Sequence, residues 1–181
     1  MKNTSSFKTT ISLKVAMHCV AFLWMLNPAA AEVKTTPSGA APLSFESFEK
    51  ESVAVGDLIK CPKERVTKTP GFPDLWGCIW PGAEVVKVFI NEDGSGGVKN
   101  VKVMWNDWTR DVGYGVHTDA EMARAWLAAL ATRYAPEAVE DVLLTFNSTS
   151  NKTIESDTHR LVYTYEKGPA IDERLFTISA K

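Results

Sequence analysis

Residues 101–136 read VKVMWNDWTRDVGYGVHTDAEMARAWLAALATRYAP, and this stretch indicates the fold class. Apolar residues at its start alternate with polar ones, which is the period-two spacing of a strand. Its second half predicts a helix from Asp119 to Tyr134, because apolar side chains recur on one broad helical face and Pro136 disfavours further helix. A strand and a long helix of this kind predict one unit on which the other strands pack.

The predicted helix has its own start signal. Thr118 to Glu121 have the spacing of a capping box, in which the threonine hydroxyl and the glutamate carboxylate satisfy free backbone N–H groups of the first turn. The face expected to pack on the sheet carries Met122, Trp126, Leu127, Leu130 and Tyr134.

The flanking segments predict further strands. Residues 85–90 and 98–106 are separated by a glycine-rich polar turn and read as a hairpin, and residues 160–166 and 171–178 read as a second one. Residues 142–146 are apolar and predict another strand, followed by a polar solvent loop over residues 147–158. The sequence therefore predicts an α+β fold, an antiparallel sheet of about five strands with one main helix across one face.

The N-terminal region predicts export. Residues 1–31 combine three lysines, a short apolar run and an Ala-x-Ala end, the pattern of a cleaved and bacterial-looking signal peptide. Residues 32–43 predict a disordered tether, and residues 44–181 a single α+β domain. We expect a periplasmic or secreted protein without stable membrane insertion. Removal of the leader lysines makes the chain more acidic than its formal charge of −2, so nucleic acid is not an expected partner.

Cys61 and Cys78 are the two cysteines left after cleavage, and in an oxidising compartment such a pair predicts a disulfide. The bridge would staple residues 62–82, where four prolines and several glycines predict a loop without helix or central strand. Ahead of it, Ser44 predicts the cap of a short helix that ends near Gly56. The aromatic residues of the stapled loop fit two interpretations, a cluster over the core or an exposed recognition patch: Phe72, Trp76 and Trp80.

The segment from Asp107 to His117 joins the predicted strand to the helix and is the main candidate for function. It offers an aromatic ring, a guanidinium fork and two carboxylates with no obvious core to bury them. Its candidate binding residues are Trp108, Arg110, Asp111 and Tyr114, with Trp76 and Trp80 as a second set. We expect a non-catalytic binding protein that recognises an envelope protein or an envelope glycan through these residues.

Two other functions remain open from the sequence. His117 precedes a helix N-terminus, which favours the neutral imidazole of a general base, so a hydrolase with His117 and a nearby carboxylate is one alternative. An inhibitor or immunity protein acting on a secreted enzyme is the other. Asp157 and His159 could join His117 as metal ligands, but nothing in their spacing requires a metal, and we expect neither a metal nor a cofactor.

Overall fold

The computed structural model describes residues 45–81, 84–108 and 118–181. In chain order the elements are α1 (Phe48–Ile59), β1 (Glu64–Thr67), β2 (Leu75–Ile79), β3 (Val86–Glu92), β4 (Val98–Trp108), α2 (Ala120–Tyr134), a 3-10 turn (Pro136–Ala138), α3 (Val139–Thr145), β5 (Lys152–Glu155), β6 (His159–Lys167) and β7 (Ile171–Ala180). All strands join one antiparallel sheet in the order β1-β2-β3-β4-β7-β6-β5. Within the described residues, no helix is long and apolar enough to cross a membrane.

The predicted α+β fold with an antiparallel sheet is confirmed, although the sheet has seven strands where about five were expected. Both predicted hairpins form, as β3–β4 and β6–β7. The centre of the sheet is the pairing of β4 with β7, in which Val101 lies opposite Ile178 and Val103 opposite Phe176. These side chains are buried, so they form the middle of the core.

The prediction of a strandless loop over residues 62–82 was wrong. β1 and β2 lie in this segment, and β2 is an inner strand paired with β3. The prolines do not prevent the pairing because they bracket the strands: Pro62 precedes β1, Pro70 and Pro73 lie between β1 and β2, and Pro81 follows β2. Proline is excluded from ladder positions but not from the turns that connect them.

Residues 142–146 were predicted as a strand and belong instead mainly to the helix α3. A short apolar run does not by itself distinguish strand from helix. Here Ala138, Val142 and Phe146 are buried at a spacing of four residues, which places side chains on one face of a helix. The predicted solvent loop over residues 147–158 also contains β5, which forms the far edge of the sheet and buries only Ile154.

The long helix α2 forms as predicted and packs by the predicted face. Trp126, Leu127, Leu130 and Tyr134 are buried, Met122 is half-buried, and Ala123 and Ala131 allow close approach. The predicted capping box is not formed, because Asp119 occupies the N-cap with a φ of 40° and makes no side-chain capping hydrogen bond. The start of the helix is tied to β4 instead, since the indole N–H of Trp105 donates to the backbone carbonyl of Thr118.

Helix α1 is longer than predicted, and it runs through Gly56 to Ile59 before Lys60 ends it in the left-handed conformation. Gly56 faces the β1–β2 hairpin, where an added Cβ would lie 3.4 Å from the Trp76 ring and 3.2 Å from a Glu64 carboxylate oxygen. The absence of a side chain at Gly56 therefore lets α1 approach the sheet closely.

The predicted disulfide is present between Cys61, just after α1, and Cys78 in β2, with a Cα–Cα distance of 6.0 Å. Replacing both cysteines by alanine should lower the free energy of unfolding by about 3 kcal/mol, because the bridge restricts a 17-residue separation in the unfolded chain. Urea denaturation of the oxidised protein and the double variant measures this difference. Equal midpoints would show that the bridge contributes nothing to stability.

Candidate functional site

Most of the predicted binding loop lies outside the described residues. Trp108 is the last residue of β4 and is half-buried. Arg110, Asp111, Tyr114 and His117 belong to the part of the chain that is not described. Their roles as binding residues, and that of His117 as a catalytic base, therefore remain predictions.

The two tryptophans of the stapled segment do not form an exposed patch. Trp76 is 1% exposed, so it is not part of an exposed surface patch, and its role in binding stays a prediction. It lies in β2 on the sheet face that α1 covers, and its indole N–H donates to Glu64 at 3.0 Å. Trp80 is half-buried and meets the ring of Trp126 edge to face at 6.0 Å. Only Phe72, at the β1–β2 turn, is a largely exposed aromatic of this set.

An open groove lies between α1 and the edge strand β1. Its larger part is a cavity of about 750 Å³ along the first half of α1, floored by Trp76 and Phe48. A second cavity of about 560 Å³ continues along the rest of α1 to Lys60, and the two share Val53 and Glu64. We call these two cavities together the α1–β1 groove. Each has the volume typical of ligand sites in proteins.

Both sides of the α1–β1 groove present an exposed apolar side chain. Val53 of α1 is 60% exposed and Val66 of β1 is 45% exposed, and both line the larger cavity. Among the described residues, β1 has a strand neighbour on one side only, so its other edge carries backbone N–H and C=O groups without a ladder partner in this part of the chain. Carboxylates outnumber cationic groups along the larger cavity: Glu49, Glu64, Asp74 and Glu92 against Arg65 and Lys68.

An ion pair between the buried Glu51 and the half-buried Arg133 fixes α1 against α2. The side chain of Glu51 is 1% exposed and accepts hydrogen bonds from Arg133 Nε at 2.7 Å and from the Tyr134 hydroxyl at 2.6 Å. Burial alone would raise the pKa of Glu51, but these hydrogen bonds and the backbone N–H of Glu46 outweigh it, and the pKa lies below its ordinary value. Burial and the Glu51 carboxylate in turn raise the pKa of Tyr134. Glu51 is therefore a structural anion.

His159 lies beside this ion pair but is not arranged as a catalytic or metal-binding group. It is 2% exposed, its ring packs against Phe45 and Tyr134, and Nδ1 is 2.7 Å from the Thr158 hydroxyl. Burial lowers the pKa of His159, so the neutral imidazole is favoured. Among the described residues, no three His, Cys, Asp or Glu side chains come together as potential metal ligands.

A second polar cluster lies on the helix-covered sheet face where β4 ends and β7 begins. The register places Asp107 directly opposite Asp172. The neighbouring pair on the same sheet face is Trp105 opposite Arg174. Asp107 and Asp172 are 7% and 8% exposed. Directly opposed side chains on one sheet face have Cβ atoms about 5 Å apart, so the two carboxylates are close neighbours. Burial and the Asp172 charge raise the pKa of Asp107, although Arg174 lowers it in part.

Arg174 does not form an ion pair with either carboxylate. Its Nη1 donates to the Ser148 carbonyl at 2.8 Å and to the Tyr163 hydroxyl at 3.1 Å, and its guanidinium lies over the rings of Trp105 and Tyr165. Three polar atoms of the cluster are buried without a hydrogen-bond partner in the described part of the chain: Asp107 Oδ1, Asp172 Oδ1 and Arg174 Nε.

Sequence reasoning identified Trp108 and Asp107 at the edge of this cluster but missed Asp172 and Arg174, and it missed Val53 and Val66 of the groove. Alternation along residues 171–178 places Asp172 and Arg174 on the core face, and that signal could have singled them out. No protein family model, curated protein or solved structure matches this chain.

Proposed function

We propose that this chain is an exported, non-catalytic binding protein that takes an extended segment of a partner protein into the α1–β1 groove. The observation that carries the proposal is the combination of an open strand edge with an apolar groove beside it. An extended peptide that adds to a sheet edge gains backbone hydrogen bonds, while pockets for alternate side chains provide specificity.

The dimensions of the groove support a short extended segment. Helix α1 has 12 residues and is therefore about 18 Å long, and an extended chain of about five residues spans that distance. Alternate side chains of the added strand would enter the groove between Val53 and Val66, above Trp76. The acidic lining favours a segment in which basic or neutral residues alternate with apolar ones.

Three contacts fix the position of α1 and therefore the shape of the groove. A groove that is already formed binds a partner without a large loss of conformational entropy. The backbone N–H of Phe48 bonds to the carbonyl of Gly96 at the β3–β4 turn. Glu51 holds the middle of α1 through its ion pair, and the disulfide fixes the end of α1 to β2. Export rests on the predicted signal peptide and agrees with the disulfide. The segment from Trp108 to Tyr114 is a second contact surface in this proposal.

The proposal predicts that Val53→Arg and Val66→Arg will each weaken peptide binding at least tenfold. Peptides selected from a random display library on the purified protein provide the probe, and fluorescence polarisation measures the dissociation constants. Each substitution removes an apolar contact and places a cation where the partner is expected to be basic. Both sites are exposed, so the unfolding midpoint should change little.

Leu144→Arg is the matched control, because Leu144 is an equally exposed apolar residue on α3, away from the groove. Its peptide affinity should equal that of the wild-type protein. A library that yields no binder, or binders that the Val53 and Val66 variants retain in full, would contradict the proposal. Selective binding of an envelope glycan in the groove would contradict the choice of a peptide.

A further inference from the structure

A further cavity lies between the β1–β2 turn and the β3–β4 turn, and an exposed aromatic ring forms part of its wall. Its volume is about 550 Å³, which is within the range of ligand sites. Phe72 is 71% exposed, and Pro73 and Leu75 continue the apolar part of the lining. We call this space the Phe72 cavity. A ring so widely exposed to water gains free energy when a ligand covers it.

Hydroxyl, amide, carboxylate and ammonium groups line the rest of the Phe72 cavity: Thr67, Thr69, Asn91, Asp93 and Lys99. The register sets Leu75 between Thr67 and Asn91 in one row across β1, β2 and β3. This row lies on the sheet face opposite α1, because the next residue of β2, Trp76, faces that helix. The cavity therefore combines an apolar surface with hydrogen-bonding side chains held at the spacing of the strands.

The β3–β4 turn holds the Asp93 carboxylate in one position. Its Oδ1 accepts hydrogen bonds from the backbone N–H groups of Ser95 at 2.7 Å and Gly97 at 3.1 Å, and from the Ser95 hydroxyl at 2.8 Å. These hydrogen bonds lower the pKa of Asp93, so the carboxylate stays ionised at neutral pH. A Cβ at position 97 would collide with Asp93 Oδ2, so this arrangement requires glycine there. None of the three hydrogen bonds uses Oδ2, which is the acceptor that a ligand can reach.

The charges around the Phe72 cavity suit an uncharged ligand. Asp74 already pairs with Lys68 at 3.2 Å. Glu92 already accepts two backbone N–H groups, at 2.7 and 2.8 Å. The charged groups of the lining that remain are one anion, Asp93, and one cation, Lys99. Their charges cancel, so the cavity needs no counter-charge from a ligand.

We propose that the Phe72 cavity binds a neutral glycan, with one pyranose ring stacked on Phe72. The C–H groups of a sugar face carry partial positive charge and meet the negative face of the aromatic ring. The sugar hydroxyls donate to Asp93 and accept from Lys99, and such charge-assisted hydrogen bonds are stronger than neutral ones. The proposal does not depend on a peptide in the α1–β1 groove, although Asp74 and Glu92 line both spaces.

The surroundings favour a sugar over other ligands. β2 and β3 have strand neighbours on both sides, so the floor of the cavity offers no open edge to a peptide strand. An anionic ligand would meet Asp74, Glu92 and Asp93 against the single cation of the lining, Lys99. Among the described residues, no three His, Cys, Asp or Glu side chains form a metal site.

Isothermal titration calorimetry with three probes tests the proposal: cellohexaose and the hexamer of N-acetylglucosamine, which are neutral, and hexagalacturonate, which is anionic. We expect saturable binding of at least one neutral probe. Phe72→Ala should weaken it at least about tenfold, whereas Phe72→Trp, which keeps an aromatic face, should retain it. Asp93→Asn should also weaken it, because the charge is lost. Binding of the N-acetylglucosamine hexamer alone would show that the acetamido group is recognised, and binding of cellohexaose alone that it is excluded.

Leu144→Ala is the matched control, because it truncates an equally exposed apolar side chain on α3. Val53→Arg is the second control and separates the Phe72 cavity from the α1–β1 groove, which it obstructs. Both variants should bind the glycan as the wild-type protein does. Equal weakening in Val53→Arg and Phe72→Ala would assign the sugar to the groove and overturn the proposal. Absence of saturable binding, full affinity in Phe72→Ala, or tighter binding of hexagalacturonate than of both neutral probes would also overturn it.

Discussion

Replacing Arg133 by methionine should lower the free energy of unfolding by about 3 kcal/mol at neutral pH, because it leaves the buried Glu51 carboxylate without its cation. Methionine retains most of the aliphatic packing, so the lost charge dominates the change. The Tyr134 hydroxyl and the Glu46 N–H still bond to Glu51, which places the effect at the lower end of the range for broken buried pairs. Chemical denaturation of both proteins at pH 7 measures the difference.

The same comparison has a defined pH dependence. The pKa of Glu51 is lowered in the folded wild-type protein, so its contribution to stability is present above the ordinary glutamate value and is lost as the pH falls below it. Without Arg133, burial dominates and Glu51 takes up a proton more readily. The difference in the free energy of unfolding between the wild-type protein and Arg133→Met should therefore become smaller as the pH falls through the titration of Glu51.

A matched control for this pair exists on the surface. Arg160 Nε contacts Glu155 Oε1 at the same 2.7 Å, but the two side chains are 58% and 46% exposed. Solvent screens such a pair, so Arg160→Met should lower the free energy of unfolding much less than Arg133→Met does. Equal losses in the Arg133 and Arg160 variants would show that burial of Glu51 does not determine the strength of the contact.

Trp126→Ala should destabilise the protein by about 3–5 kcal/mol, the range for truncation of a buried aromatic side chain. Trp126 is 3% exposed, and it connects α2 to Trp80 and thereby to the segment that follows β2. Truncation removes this contact and leaves a cavity under the helix. Leu144→Ala, at a position that is 68% exposed, should change stability by less than about 0.5 kcal/mol. Similar midpoints for the two variants would contradict the packing of α2.

The regular patterns of the sequence predicted the elements that depend on local periodicity. Helix α2 and the β3–β4 and β6–β7 hairpins follow from spacing within each segment. The elements that were missed depend on tertiary context. β1 and β2 are framed by prolines that resemble loop signals, α3 has an apolar run too short to show its period, and β5 exposes most of its side chains at the sheet edge.

The sites were less predictable because neither lies within one segment. The α1–β1 groove is lined by Val53 of α1 and Val66 of β1, and the turn between these two elements carries the disulfide-bonded Cys61. Neither valine belongs to a recognisable motif. The pairing of Asp107 with Asp172 requires the register of β4 with β7, two strands that are far apart in the sequence. Side-chain alternation assigns each aspartate to a face, but only the register places one beside the other.

Hydrogen–deuterium exchange of β1 with a selected peptide tests the proposed strand addition most directly. A peptide that pairs with the open edge should slow exchange of the backbone amides of residues 64–67 that face away from β2, because they gain carbonyl acceptors. We expect protection concentrated in β1 and the facing side of α1. Unchanged exchange in β1 under saturating peptide, or protection confined to the other face of the sheet, would contradict it.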